Sequence, residues 1–323
     1  MTELLLLRHG KAYRDESIED AARPLKDRGK RDAQRVGAWL AQQGIEPDLV
    51  VTSPAERALV TAEKCCKAMG RGVAGLRREP GLYGADLDDL VALVGACAPG
   101  VRRLMLVGHN PGLELLLRHL VGDAVTDAGA RLMPTAGLAH LAFDGDWRSL
   151  QAKGARLLDL RHPRQLPDGF PYPDRHGSER RERPAYYYRQ SAVVPYRVST
   201  AGLEFLIVRS SRRRHWVVPK GIIEPGFSPQ LSAEKEALEE AGVEGRVLAD
   251  AIGEYRYPKW GAECAVSVYP MRVDRELADD EWRESHRGRQ WVSPETAASL
   301  LKQVELRDIV MALAQSLARS NDS

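Results

Sequence analysis

The sequence has no long apolar run. No stretch of about 18 apolar residues occurs, so no membrane-spanning helix is expected. The opening M-T-E-L-L-L-L-R-H is too short for a signal peptide and has no basic n-region, so it reads as a buried first strand. Cysteine is scarce. Cys65, Cys66, Cys97 and Cys264 show no metal-binding spacing, and the adjacent Cys65 and Cys66 are poor disulfide partners. A reducing cytoplasm is the expected compartment. Net charge is also small. At +2 it argues neither for nor against a polyanionic partner, although basic residues crowd into 161–189 and 209–214. No nucleic-acid-binding motif accompanies those clusters, so a nucleic-acid binder is not expected. What is present is ordinary for a globular protein: 43% hydrophobic and 28% charged residues. A chain of 323 residues exceeds what one core usually holds, so two domains are expected.

In the first half, residues 4–7 form a short, continuously apolar run, as in a strand covered on both faces. It ends in Arg8-His9-Gly10. Arg23-Pro24-Leu25 follows, then a helix pattern over 30–43. A second strand over 49–52 runs into Ser53-Pro54-Ala55-Glu56-Arg57-Ala58. A third, over 104–107, ends in Gly108-His109-Asn110-Pro111. Alternating strands and helices imply parallel strands whose carboxyl ends converge. In such sheets ligands bind outside those ends. Two imidazoles and several guanidiniums meeting there suit phosphoryl transfer. One imidazole would be the nucleophile, and the arginines would bind the phosphoryl oxygens.

The set L-R-H-G-K-A, R-P-L, S-P-x-x-R-A and G-H-N-P resembles the histidine phosphatase superfamily, most closely the small phosphohistidine phosphatases of the SixA type. The resemblance covers residues 1–160. It implies His9 as nucleophile, Arg8, Arg57 and His109 as the rest of the phosphate pocket, and Arg23 as a further phosphate contact. It implies no cofactor. Larger members also use an acidic proton donor. Glu79, Asp86 and Asp88 lie in the corresponding region, but none is a convincing equivalent.

Residues 161–184 hold five prolines, many charges and little apolar periodicity, and read as a linker. From 185 onward, strands are expected over 191–197 and 204–209 with a turn at 199–202, then over 247–256, 264–273 and 289–292. Helices are expected over 294–301 and 305–318. Arg212, Arg213 and Arg214 precede Trp216 and read either as an exposed hairpin tip or as a clamp for a polyphosphate.

The most informative stretch is W-V-V-P-K-G-I-I-E-P-G-F-S-P-Q-L-S-A-E-K-E-A-L-E-E-A-G-V, residues 216–243. It reads as loop, then helix. Ser228 is an N-cap, Pro229 suits the first helical position and Gly242 suits C′. A helix over 231–241 puts Glu236, Glu239 and Glu240 at i, i+3 and i+4 on one face. Such a face either meets open water or holds a cation, and its hard oxygens suit Mg²⁺ or Mn²⁺.

The stretch resembles the Nudix box, G-x5-E-x7-R-E-U-x-E-E-x-G-U, with Gly221, Glu236, Glu239, Glu240, Gly242 and Val243 in register. Phe227 stands for the first Glu, Lys235 for the Arg, and Ala237 at the first apolar position. P-K-G ahead of the box is similar to the diphosphoinositol and diadenosine polyphosphate branch. The resemblance implies Glu239 and Glu240 as principal metal ligands and Glu236 as a further ligand or base. Lys220 is the phosphate contact it suggests. A late acid completes the site, with Glu284 the candidate and Glu281 the runner-up. The missing pair at Phe227 and Lys235 suggests a repacked loop.

The expected fold class is α/β, with a phosphoglycerate-mutase-like doubly wound sheet followed by a Nudix α/β/α sandwich. The expected function is a two-site phosphohydrolase. Its second domain would cleave nucleoside- or inositol-linked pyrophosphates with a divalent metal, and its first would remove phosphate through a phosphohistidine. The substrate would be a phosphorylated small molecule, with a phosphohistidine protein as another partner for the first domain. The alternative is a phosphorelay signalling phosphatase whose Nudix domain senses a nucleotide without turnover.

Overall fold

The computed structural model describes residues 1–122, 125, 132–211 and 213–321. Arg212 of the arginine cluster lies outside the described residues. The chain divides into two compact units, Met1–Ala185 and Tyr186–Ser323.

The first unit is built on a six-stranded sheet: β1 (Thr2–Arg8), β2 (Leu49–Thr52), β3 (Leu76–Arg78), β4 (Arg103–Gly108), β5 (Leu138–Phe143) and β6 (Arg156–Arg161). Their spatial order is 3-2-4-1-5-6. The first four run parallel, and β5 and β6 are antiparallel to their neighbours. The leucine run explains the double winding. All four leucines of β1 are fully buried. Strand alternation sends Leu4 and Leu6 into a cluster with α3 (Leu87–Gly95) and α4 (Gly112–Val121). It sends Leu5 and Leu7 into another with α1 (Asp27–Gln42) and α2 (Glu56–Ala68). Each buried leucine contributes about 1.5–3 kcal/mol, so β1 anchors both faces. Its carboxyl end is thereby fixed next to those of β2 and β4.

Residues 161–184 are not a free linker. They return across α1 as a strap. Leu166 and Phe170 are buried, and β7 (Phe170–Tyr172) pairs with β8 (Glu179–Arg181). Arginines hold the strap through its own carbonyls. Arg35 donates to the carbonyls of Pro167 and Leu166 while pairing with the buried Asp32. Arg31 donates to those of Glu182 and Asp168, and its guanidinium lies over the Phe170 ring. Prolines and charges that suit a solvated linker serve equally well where the backbone carbonyls have donors.

The second unit holds an eight-stranded sheet: β9 (Arg189–Ser199), β10 (Gly202–Arg209), β11 (Trp216–Val217), β12 (Lys220–Ile222), β13 (Val243–Val247), β14 (Gly253–Lys259), β15 (Ala262–Glu276) and β16 (Arg289–Val292). β9 and β15 are parallel, and the remaining pairs are antiparallel. One face packs on α5 (Pro229–Glu236), with Val193, Leu206 and Met271 against Ala233 and Ala237. The other packs on α6 (Pro294–Leu300) and α7 (Val304–Asn321) through Ala192, Phe205, Val266, Leu306 and Val310. This is the α/β/α sandwich. The strand expected over 247–256 is instead the end of β13, a turn and the start of β14.

The expected caps of α5 are in place. The Ser228 side chain accepts from the Leu231 N–H, Pro229 opens the helix, and Gly242 adopts φ 62°. The helix is not regular to its end. After Glu236 it widens into a π-helical turn over Ala237–Ala241. Such turns insert one residue into the ladder and occur often at functional sites.

Two candidate active sites

In the first unit three of the four parallel strands, β1, β2 and β4, deliver their terminal residues to one crevice. Arg8 ends β1 and His9 follows it. Ser53 follows β2, and Arg57 lies in the first turn of α2. His109 follows β4. Arg8, His9, Arg23, Arg57 and His109, all named from the sequence, line one cavity of about 250 Å³. That cavity has no carboxylate in its lining among the described residues. Glu79 pairs with Arg77, and Asp86 caps α3.

The turn carrying His9 lies directly on α1. A Cβ on Gly10 would sit 2.6 Å from the Gly29 carbonyl oxygen, and one on Gly29 would sit 2.3 Å from that of Lys11. The Gly10 N–H donates to Thr61 Oγ1 at 2.9 Å. Gly10 is thus held, and its carbonyl oxygen stands 2.8 Å from His9 Nδ1. A carbonyl only accepts, so Nδ1 carries the proton and the lone pair is on Nε2. The His9 and His109 ring centroids are 5.1 Å apart. His109 Nε2 lies 2.8 Å from Ser53 Oγ, and its Nδ1 is buried with no hydrogen-bond partner among the described residues. Burial, with the nearby arginines adding to it, pulls His9 down to about 4. Burial and the neighbouring His9 pull His109 down to about 3. Both imidazoles are therefore neutral at pH 7.

The arginines are tied by a residue that the sequence reading missed. One oxygen of Asp20 pairs with Arg23 at 2.6 Å, and the other with Arg57 at 2.8 Å. The same Oδ2 accepts from Tyr83 Oη at 2.7 Å. The Asp20 carboxyl is held down to about 2, first by Tyr83 and then by Arg57 and Arg23. It stays ionised and does not serve as a proton donor at neutral pH. The sequence signal was available, since Asp20 stands three residues before Arg23.

In the second unit Glu236 and Glu240 converge beside β12. A Cβ on Gly221 would fall 1.9 Å from Glu236 Oε1, so only glycine lets that carboxylate rest on the loop. The Lys220 N–H donates to Glu240 Oε2 at 3.0 Å. Arg287, buried, pairs with Glu240 and, at 2.9 Å, with Glu284. Glu239 stands further out, 3.4 Å from Lys235 and 3.7 Å from Arg283. Of the late acids, Glu284 joins the cluster, whereas Glu281 turns to Arg275. The Lys220 ammonium lies 3.1 Å from Tyr257 Oη and 3.4 Å from Gln190 Oε1, within electrostatic reach of Glu240 and Glu236. Burial lowers its pKa.

Two residues brace the π turn. Trp282 Nε1 donates to the Glu239 carbonyl at 2.9 Å, and Arg289 caps the carbonyls of Ala241 and Gly242 while stacking on Trp282. Phe227 is exposed and Lys235 reaches Glu239, so support for this turn comes from the Trp282–Arg289 side. Neither brace was legible, because both sit more than 40 residues along the chain from the turn.

Among the described residues no three acidic, histidine or cysteine side chains are arranged to hold one metal ion. The donor set still suits a hard divalent cation. Burial raises Glu236 to about 7, the charge of Glu240 adds to this, and Glu239 and Glu284 push the same way. Burial also raises Glu240, against the pull of Arg287. Oxygen ligands that disfavour one another's charge in this way are relieved by a cation between them. Arg287 meets that need for Glu240 and Glu284, and no cationic side chain within ion-pair distance does so for Glu236 among the described residues.

Residues 4–93 match the histidine phosphatase superfamily (branch 1), and residues 187–313 match the NUDIX domain. An uncharacterised protein of Mycobacterium tuberculosis is 31% identical over 164 residues, 49% of this chain and 100% of its own length. The bis(5'-nucleosyl)-tetraphosphatase (asymmetrical) of Sus scrofa is 26% identical over 122 residues, 36% of this chain and 82% of its own. A putative phosphohistidine phosphatase SixA of solved structure, from Nakamurella multipartitia, is 33% identical, covering 50% of this chain and 96% of that one with a TM-score of 0.42. No helix among the described residues is long and apolar enough to cross a membrane. Both halves fall in hydrolase families, and the NUDIX family generally works with a divalent metal. The chain joins a first domain of the histidine phosphatase superfamily to a second domain of the NUDIX family.

Proposed function

We propose that the chain is a phosphohydrolase with two separate chemistries. The first unit transfers a phosphoryl group to His9 and then to water. The second cleaves nucleoside- or inositol-linked pyrophosphates. The observation that carries the first assignment is the Gly10 carbonyl on His9 Nδ1, which leaves a neutral Nε2 lone pair in a cavity lined by guanidiniums. That lone pair attacks phosphorus as the bond to the leaving group breaks, and the leaving group departs with the bonding electrons. Arg8, Arg23 and Arg57 offset charge on the phosphoryl oxygens. Water then attacks phosphorus, the P–N bond breaks, and orthophosphate leaves with the imidazole restored. With no carboxylate in the lining among the described residues, good leaving groups such as phosphoramidates suit the site best.

In the second unit Glu236, Glu239, Glu240 and Glu284 are the residues that would hold a divalent ion. Bound there, the ion would neutralise pyrophosphate charge and supply an activated water. Glu236, resting against Gly221, is the further ligand or base of the set. Lys220, held by Tyr257 and Gln190, is the residue offered to the substrate phosphate on this side. The relation to the Sus scrofa tetraphosphatase supports dinucleotide polyphosphates as the first substrates to test.

The test uses p-nitrophenyl phosphate and diadenosine tetraphosphate, each with Mg²⁺ and with excess chelator. Chelation, or Glu240→Gln, is expected to stop dinucleotide cleavage and spare monoester hydrolysis. Equal loss of both under chelator refutes the assignment of the metal to the second unit alone. Dinucleotide binding without turnover in Mg²⁺ refutes catalysis there and favours a nucleotide sensor.

A further inference from the structure

A second cavity of about 390 Å³ adjoins the His9 pocket, and the two share Lys11 and Thr135 in their linings. Its walls carry Arg28 from α1 and His162 and Arg164 from the strap. Among the described residues the one carboxylate in that lining is Asp32, which is already matched by Arg35 at 3.2 Å and by Arg28 at 3.6 Å. Lys11 and Arg164 have no ion-pair partner among the described residues. The cavity is therefore positive, and it continues a pocket that is positive as well. Its wall is fixed. His162 Nε2 is 3.2 Å from the Leu132 carbonyl oxygen, the His162 N–H donates to Gln165 at 2.7 Å, and Arg35 pins the next turn of the strap.

We propose that this cavity is a second anion subsite, and that the substrate of the first unit is a small molecule carrying two phosphoryl groups. One would sit against His9 and the other between Lys11, Arg28 and Arg164. The inference rests on reading the His9 pocket as the phosphoryl-transfer site and adds the substrate class to it. Charge and size both support it. A group bearing about two negative charges gains from cations that have no partner of their own, here Lys11 and Arg164, and Arg28 beside them shares Asp32 with Arg35. The two joined spaces fall within the roughly 300–1,000 Å³ typical of small-molecule sites. A phosphohistidine on a protein surface brings one phosphoryl group and no second anion at a set reach, so it would leave the strap cavity without a role.

The full chain is assayed in excess chelator, which silences metal-dependent cleavage. The substrates are 4-nitrophenyl phosphates, whose leaving group needs no proton, with a ring substituent of increasing length that ends either in a methyl group or in a second phosphate. For a bisphosphate of matching length, kcat/KM is expected to exceed that of its monophosphate by about tenfold. The double charge reversal Arg28→Glu, Arg164→Glu should bring the ratio to about one, and both positions lie at the surface, where reversal is compatible with folding. If monophosphates are hydrolysed and no bisphosphate does better, the subsite is wrong and the His9 assignment stands. An advantage that survives the charge reversal also overturns it. If neither series is hydrolysed and orthophosphate does not bind in an Arg57-dependent manner, the His9 reading fails and takes the subsite with it.

Discussion

The low affinity of His9 for protons gives the sharpest test of the first site. The perturbation is acid. An ordinary histidine titrates near 6.5, whereas His9 is brought down to about 4, mainly by burial and then by Arg57, Arg8 and Arg23. At about pH 5.5 an ordinary imidazole is roughly one-tenth neutral. A group titrating at about 4 is almost wholly neutral there. Nucleophilic competence should thus persist through the range in which a solvent-exposed histidine would lose it, and fall only through about 4. Diethyl pyrocarbonate reads this directly, because it acylates neutral imidazole. Its rate of inactivating phosphatase activity is followed against pH, with protection by inorganic phosphate as the control for modification at the site. A half-point near 6.5 would refute the argument from burial. Stability follows with the same sign. The unfolded chain takes up protons near 6.5 that the folded site refuses, so stability is intact above 6.5 and is lost as pH falls toward 4. For His9 the loss is on the order of 3 kcal/mol at most. It should be visible as a falling Tm of the first unit that His9→Gln reduces.

Two further outcomes are expected. Gly221→Ala forces a methyl group onto Glu236 Oε1, so the carboxylate must move; pyrophosphate cleavage should drop about a hundredfold, as displacements near 1 Å do, while monoester hydrolysis holds, and unchanged dinucleotide turnover would show that Glu236 is not needed where it stands. A fragment ending at residue 165 loses Leu166 and Phe170 from the core, so it should be less stable than one ending at 185 by about 1.5–3 kcal/mol for Phe170 alone; equal melting temperatures would mean that the strap adds nothing.

Much of both sites was legible because local chemistry and position coincide. Leu4–Leu7 could only be a strand covered on both faces, and the residues following each parallel strand were bound to meet. Ser228, Pro229 and Gly242 mark helix ends by rules that need no tertiary context. What escaped the sequence depends on partners distant along the chain. The strap looked like a linker because composition does not reveal that Arg31 and Arg35 satisfy its carbonyls. Regular helical spacing hid the π turn, which Trp282 and Arg289 stabilise from another loop. Asp20 and Arg287 went unseen because each takes its meaning from the opposite charges it meets, Asp20 at Arg23 and Arg57, Arg287 at Glu240 and Glu284.

The π turn makes residue count a functional variable. An α-helix rotates about 100° per residue. Removing any one residue from Ala237–Ala241 would let the ladder close into a regular helix, a change that local propensity favours. The shortened helix would keep its caps and nearly all of its composition. The flanking residues would keep their facing, because the wider turn takes up one extra residue within nearly the same overall rotation. Glu236 would stay on Gly221 and β13 would keep its register. Deleting Ala237 should therefore yield a well-folded protein in which the interval from Glu236 to Glu240 falls from four residues to three, and loss of dinucleotide turnover alone would show that this interval serves the site. For this stretch, spacing carries information that side-chain identity does not.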